Sequence, residues 1–259
     1  MSKQRNIKIA EEILKISDTI KKERSVNYYS SDVLNKIKET REVNITNLKT
    51  KLEVCNKDVV ETVIKEINKN EGKVGVLNFA SAKKPGGGFL TGATAQEESL
   101  CRASDLYLYL KNVDEFYKNP KHRTNGLYDN DLIYSKGVNF VLDNSGNLMN
   151  GMVTADVITC AAVNLGDIKD KKQNDLLSKV DMEMIIRIEN IVEIAIKNEI
   201  EVLILGAFGC GVFGNSGYKV KNYFEKVLND SKYKNRFKKV VFSVYRDNNL
   251  YNIFKGIRI

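Results

Sequence analysis

The sequence predicts an α/β fold, a layered sheet with helices packed on it, and three observations carry that prediction. Short β-branched runs alternate with amphipathic helical stripes along most of the 259 residues, the pattern of strands and their covering helices. Runs such as Val74 to Phe79 and Val202 to Leu205 are apolar throughout, as strands buried on both faces must be. Each of these two runs opens into a glycine-rich loop followed by helical spacing, and open α/β sheets bind ligands where such loops leave the strands.

The elements follow in order. Ile9, Ile13, Leu14, Ile16 and Ile20 predict an amphipathic helix over residues 6 to 22. Val26 to Thr40, VNYYSSDVLNKIKET, reads as a turn and a second short helix. Residues 1 to 45 are therefore expected as a helical extension packed on a single domain that spans the chain, being too short to fold alone. Lys51 to Cys55 reads as a strand, and Val59, Val60, Val63, Ile64 and Ile67 mark a helix face leading to the buried strand at Val74. Leu100, Ala103, Leu106, Tyr107 and Leu110 recur at helical spacing. Residues 112 to 137 are polar and read as an irregular excursion, with His122 a loop residue within it. Val138 to Leu142 and Val153 to Cys160 are strands on either side of the turn Asp143-Asn144-Ser145-Gly146. Lys169 to Asn174 reads as a charged loop, and Met184, Ile188, Ile191, Val192 and Ala195 stripe a long helix. After the second glycine loop a helix runs through Val220, Tyr223, Phe224, Val227 and Leu228, and Val240 to Tyr245 is the last strand before a short C-terminal element.

Composition bounds the function. Hydrophobic residues at 42% and charged residues at 29% fit an ordinary globular domain rather than a disordered chain. A net charge of +8 leans toward polyanionic partners, although the lysines lie mostly on helices as solvated faces, with short clusters at Lys21-Lys22, Lys169 to Lys172 and Lys232 to Lys239. Cys55, Cys101, Cys160 and Cys210 lack metal-type spacing, and with His122 as the single histidine neither a zinc site nor a histidine-activated nucleophile is expected. No signal-peptide pattern and no run of transmembrane length is seen, so the expectation is a monomer in a reducing cytoplasm, away from membranes.

The chemistry concentrates after Val74. Pro85 is followed by Gly86, Gly87 and Gly88, which admit positive φ and let a backbone lie directly against a ligand. Seven residues later come Gln96, Glu97 and Glu98 at a helix start, whose free N–H groups and positive dipole end suit phosphate. Thr94 with Glu97 is also a capping box, and acids in any first turn are favoured by the dipole. The glycine triplet weakens that structural reading, since a cap does not require its entropic cost.

GGG, seven residues, then QEE resembles the signature of the poly(ADP-ribose) glycohydrolases, and the surrounding LNFASAKKPGGGFLTGATAQEESLCRASDLYLYL resembles their compact microbial type, with similarity running through most of the chain. The resemblance implies a macrodomain-like three-layer α/β/α fold with a mixed central sheet, an ADP-ribose site and hydrolysis of the ribose–ribose O-glycosidic bond, with no cofactor and no metal. It implies Glu98 as the general acid and base, with Glu97 holding a ribose hydroxyl. Adjacent helical residues point roughly 100° apart, in keeping with separate roles. A general acid must be protonated where the dipole favours the ionised form, so burial, Glu97 and the bound diphosphate have to offset that field. Gln96 and the three glycines are expected at the substrate. Related sites carry Asn just before the glycines; this chain has Ser81, Lys83 and Lys84 there, and Asn78 is the substitute.

In the second loop Gly209-Cys-Gly211-Val-Phe-Gly214 matches G-x-G-x-x-G, the dinucleotide fingerprint, but the acidic residue that should follow would be Asp247, farther on than the usual ~20 residues. The resemblance instead makes GAFGCGVFGN the diphosphate-binding loop, with Gly209, Gly211, Val212, Gly214 and Asn215 at the diphosphate and Phe213 against the ribose; as a plain residue, Phe213 is equally a core contact. Asn164 and Asn215 read as polar contacts or turn residues. Four functions stay open: a hydrolase of poly(ADP-ribose), with an ADP-ribosylated protein or a nucleic acid as acceptor; a hydrolase removing ADP-ribose from another acceptor; a non-catalytic ADP-ribose-binding module; and a dinucleotide oxidoreductase.

Overall fold

The computed structural model of the protein describes residues 2–20, 23–41 and 48–259; the Lys21-Lys22 cluster lies outside the described residues. Its strands, β1 (Ser25–Tyr29), β2 (Lys51–Cys55), β3 (Val74–Phe79), β4 (Leu132–Leu142), β5 (Leu148–Cys160), β6 (Val202–Gly206) and β7 (Lys239–Ser243), form one sheet in the order β1-β4-β5-β3-β6-β7-β2. From β5 to β2 the pairs are parallel, and β4 is antiparallel to both β5 and β1. The described helices are α1 (Lys3–Thr19), α2 (Ser31–Thr40), α3 (Val59–Asn68), α4 (Gln96–Ala103), α5 (Leu106–Leu110), α6 (Asp114–Tyr117), α7 (Lys121–Thr124), α8 (Leu165–Asp170), α9 (Val180–Lys197), α10 (Gly217–Asn229) and α11 (Asn248–Lys255).

The sheet has a core on each face, because successive side chains of a strand point to opposite sides. Leu77 of β3, Leu203 and Leu205 of β6 and Val240 and Phe242 of β7 join the apolar stripes of α9 and α10. Val74 and Val76, Val202 and Ile204, and Val241 face the other way, onto Ile9 and Ile13 of α1, Val60 and Val63 of α3 and Leu100 of α4. Continuous apolar strands are what a sheet covered on both sides requires. The α/β class, the mixed sheet and its two helical layers agree with the macrodomain-like expectation.

Several local expectations are corrected. Val26 to Tyr29 is no turn but an edge strand, with Ser25 opposite Lys136 and Tyr29 opposite Leu132. The N-terminal segment is thus part helix and part sheet, α1 packing on α4 and on the 3-10 turn Phe89–Thr91. The excursion at 112 to 137 holds two short helices, and β4 begins within it at Leu132. The charged loop at Lys169 is the end of α8 followed by a turn. The helical stripe behind Gln96 breaks at Ser104, whose hydroxyl donates back to the Leu100 carbonyl at 2.7 Å. His122 is fully buried on α7, between the Phe116 carbonyl and Asp131, each 2.9 Å from a ring nitrogen. No described helix is long and apolar enough to cross a membrane.

Candidate active site

β3 and β6 are adjacent and parallel, so the loops that follow Phe79 and Gly206 leave the same edge of the sheet. A cavity of about 580 Å³ opens there. Gln96, Glu97, Glu98 and Arg102 of α4 form one wall; Gly209, Gly211, Val212 and Phe213 form the other; Asp58, Tyr245 and Arg246, from loops after β2 and β7, extend it.

The two carboxylates are held by backbone. The expected capping box is absent: α4 has Ala95 at its N-cap with no side-chain hydrogen bond. Glu97 turns instead toward β3, where Oε2 accepts from the Ser81 N–H at 2.8 Å and Oε1 from Asn78 Nδ2 at 3.3 Å. Burial pushes its carboxyl up to about 8, against the Ser81 and Asn78 hydrogen bonds, and the neighbouring Glu98 charge adds to the rise. Glu98 Oε1 accepts from the Gly88 N–H at 2.8 Å, while Oε2, buried at the cavity wall, has no hydrogen-bond partner among the described residues. Such an oxygen is costly unless something else meets it.

The geometry of the glycines explains that arrangement. Gly86 and Gly87 have φ of +65° and +58°, and a Cβ on Gly87 would lie 2.5 Å from Glu98 Oε1 and 2.9 Å from Glu97 Oε2. Glycine is needed here because the protein's own carboxylates fill the space a side chain would take. Gln96 stitches α4 to β3, its Oε1 accepting from the Phe79 N–H at 2.9 Å and its Nε2 donating to the Leu77 carbonyl at 2.7 Å.

The second loop is built the other way. The N–H groups of Cys210, Gly214 and Asn215 bond back to the carbonyls of Ala207, Gly211 and Gly209, closing the turn. Among the described residues no hydrogen bond engages the N–H groups of Gly211, Val212 and Phe213. A Cβ on Gly211 would meet nothing within 4 Å, and Val212 is 89% exposed at the lip. Consecutive amides with no internal acceptor and open space before them suit an anion of several oxygens.

Of the residues singled out in the sequence, Glu97, Glu98, Gln96, Gly209, Gly211, Val212 and Phe213 line the cavity. Gly86, Gly87, Gly88 and Asn78 stand behind the carboxylates, and Gly214 and Asn215 shape the second loop, Asn215 Nδ2 donating to the Val163 carbonyl at 2.7 Å. Asn164 caps α8 and donates to the Tyr128 hydroxyl. Sequence reasoning missed Arg102, buried one helical turn beyond Glu98 and donating to the Ala93 carbonyl and to Ser99 Oγ. Burial lowers its guanidinium, opposed by the Glu98 and Asp58 charges. The i, i+4 spacing from Glu98 is the signal that was available. It also missed Phe79, which lines the cavity with its ring 5.6 Å from that of the fully buried Phe208.

The arrangement offers one buried carboxylate with a free oxygen, a second carboxyl beside it and a row of open amides across about 580 Å³. A family model described as microbial-type PARG, catalytic domain, matches residues 2–143. Among solved structures, poly(ADP-ribose) glycohydrolase from Thermomonospora curvata is similar at a TM-score of 0.89 with 28% identity over 97% of this chain and 98% of that one. The same enzyme bound to the inhibitor ADP-HPD gives 0.86 with the same identity and coverage. Poly(ADP-ribose) glycohydrolase from Deinococcus radiodurans in complex with ADP-ribose gives 0.81 with 30% identity over 89% of this chain and 93% of that one. Curated protein sequences gave no match.

Proposed function

The chain belongs to the microbial-type poly(ADP-ribose) glycohydrolases, and we propose from that premise how its cavity releases ADP-ribose by hydrolysing the ribose–ribose O-glycosidic bond. One observation carries the reading: the unpartnered Oε2 of Glu98 and the open amides of Gly211, Val212 and Phe213 belong to walls of the same cavity. The diphosphate lies along those amides, which pay no reorganisation on binding it. That places the adjoining ribose at Phe213 and its anomeric carbon toward Glu98.

Glu98 is the general acid and base. Its Oε1 is fixed by the Gly88 amide, so Oε2 is the oxygen that moves the proton. It protonates the leaving ribose oxygen as positive charge develops at the anomeric carbon, then takes a proton from the attacking water. Glu97, with its carboxyl raised to about 8, is neutral at pH 7. It thereby meets a ribose hydroxyl without repelling the diphosphate. Asn78 and Ser81 hold it there, so Asn78 supports Glu97 in place of touching substrate.

The reading takes the chain as one catalytic domain, supported by α1 packing on α4 and by β1 pairing with β4. It takes the enzyme as a monomer acting in the cytoplasm on polymer attached to protein; the four free thiols fit a reducing compartment. The test is incubation with labelled poly(ADP-ribose), with protein carrying a single ADP-ribose and with ADP-ribosylated DNA. Free ADP-ribose from the polymer is expected. Release only from the singly modified substrates would overturn the reading.

A further inference from the structure

Tyr128 stands outside the cavity and was not singled out by its sequence, yet it is held as few residues are. It is an aromatic residue at φ +63°, a conformation that a bulky side chain rarely adopts and that persists only where the surroundings impose it. Here they do. The fully buried Arg187 of α9 donates through Nη2 to the carbonyl of Leu127 and, at 3.1 Å, to that of Asp129, gripping the chain on both sides of Tyr128. Two residues back, the Gly126 carbonyl accepts from the Asn164 N–H at 2.8 Å, and Asn164 Nδ2 donates to the Tyr128 hydroxyl at 3.2 Å.

The ring so fixed touches both glycine-loop segments. It packs edge-on against Phe213, with centroids 6.1 Å apart and planes at 63°. Lys83, in the segment leading to Gly86, places Nζ 5.7 Å from the centroid of the same ring. On its inner side it packs edge-on against the buried His122 at 5.8 Å. The Phe213 backbone is tied to the same support, its carbonyl accepting from the Gly166 N–H at 3.1 Å, two residues after Asn164. A buried side chain that only filled space would not require a left-handed backbone, a clamping arginine and contacts to two loops at once.

We infer that Tyr128 is a positioning residue: its ring sets where Phe213 stands in the cavity and gives both glycine loops one common support. The inference rests on the reading of that cavity as the ADP-ribose site. Its effect belongs to binding rather than to proton transfer, because the bonds that hold Glu97 and Glu98, from Ser81, Asn78 and Gly88, do not pass through Tyr128.

The experiment is Tyr128→Leu, with Tyr128→Met, which refills the volume without a flat ring, read in the same way should the first variant fail to fold. The KM for poly(ADP-ribose) and the Kd for ADP-ribose should each rise roughly fivefold, the size of one lost aromatic contact, with kcat changed less than about twofold. In a Phe213→Leu background the same change should add nothing, since Tyr128 acts through that ring. A folded variant with a lowered Tm and unchanged KM and Kd would overturn the inference, as would effects of Tyr128→Leu and Phe213→Leu that simply add. Should the wild-type protein release no ADP-ribose from polymer, the glycohydrolase reading fails by itself, and calorimetry with ADP-ribose on the Tyr128 variants still decides this one.

Discussion

The two glycine loops look alike in sequence and do opposite things. In the first, the amides of Ser81 and Gly88 point at the protein's own carboxyl groups, Glu97 and Glu98, and the room that Gly87 leaves is taken by their oxygens. In the second, the turn closes on itself through Cys210, Gly214 and Asn215, and the amides of Gly211 to Phe213, on residues that line the cavity, have no hydrogen-bond partner among the described residues. On the proposed reading, one loop thus holds the catalytic carboxyl and the other takes the substrate's charge. Two adjacent parallel strands deliver both to one edge, so the proposed acid and the proposed diphosphate amides belong to one cavity but to different loops. Glycine after a strand therefore has two meanings, and only the neighbouring side chains separate them.

The sharpest way to break that division is Glu98→Gln. The amide oxygen still accepts from Gly88, but no proton can be delivered, so kcat should fall roughly a thousandfold. The ADP-ribose Kd, set by the other loop, should stay within about twofold of wild type. Turnover near the wild-type value removes Glu98 from its role, and a large loss of affinity shows that the loops do not divide the work. Next is Gly87→Ala. Its Cβ would sit 2.5 Å from Glu98 Oε1 in a left-handed backbone, so destabilisation of about 2–4 kcal/mol is expected by urea unfolding, together with a kcat loss of roughly a hundredfold from the displaced carboxylates. An intact kcat with weakened ADP-ribose binding would mean that this loop serves the ligand after all.

How much of this the sequence disclosed follows from the range of the interactions. The strand, glycine triplet and acidic helix start between Val74 and Glu98 were legible, because apolar runs and residues without Cβ are local signals. So was the second glycine loop after its strand, whose diphosphate reading came from the family resemblance and not from local signals. The orientation of Glu97 was not: Thr94 and Glu97 fit a capping box, and only the nearness of β3 makes Ser81 and Asn78 better partners. Strand β1 was missed because an edge strand is defined by its partner, here more than a hundred positions away on β4. The polar surroundings of His122 concealed a buried pair with Asp131, and nothing around Tyr128 announces Arg187, which reaches it from α9. Polar residues in a run of Asn and Asp read as solvent-facing until the fold turns them inward.

The division also has a pH signature. The native state holds the Glu97 proton to about pH 8, whereas an unperturbed glutamate releases it near 4.5, so the folded protein binds one proton more than the unfolded chain between those values. The contribution of Glu97 to stability is therefore complete below about pH 4.5 and declines as pH rises toward 8, by about 1.4 kcal/mol per unit. Ion-paired acids such as Glu53, lowered to about 2 by Lys239 and Lys65, titrate below this window and do not mask it. Chemical unfolding from pH 5 to 8 should show that decline in the wild-type protein and lose it in Glu97→Gln. Parallel curves would mean that the first loop holds two ionised carboxylates.

The smallest expected effect tests the second loop where its meaning is cleanest. Gly211 has open space where a Cβ would go and does not adopt positive φ, so nothing in the fold requires glycine there. Gly209 contrasts with it, at φ +74° and with Ala162 Cβ 2.6 Å from the position of its own missing Cβ. Gly211→Ala should leave the unfolding free energy unchanged, within the roughly ±0.5 kcal/mol typical of surface substitutions, while weakening ADP-ribose about tenfold, because the added methyl stands where phosphate oxygens must reach the amides. Gly209→Ala should do the reverse first, lowering the Tm through strain and a clash. If both variants lose stability and neither loses affinity, the second loop's glycines serve the fold alone, and the open amides of Gly211 to Phe213 are an accident of a tight turn.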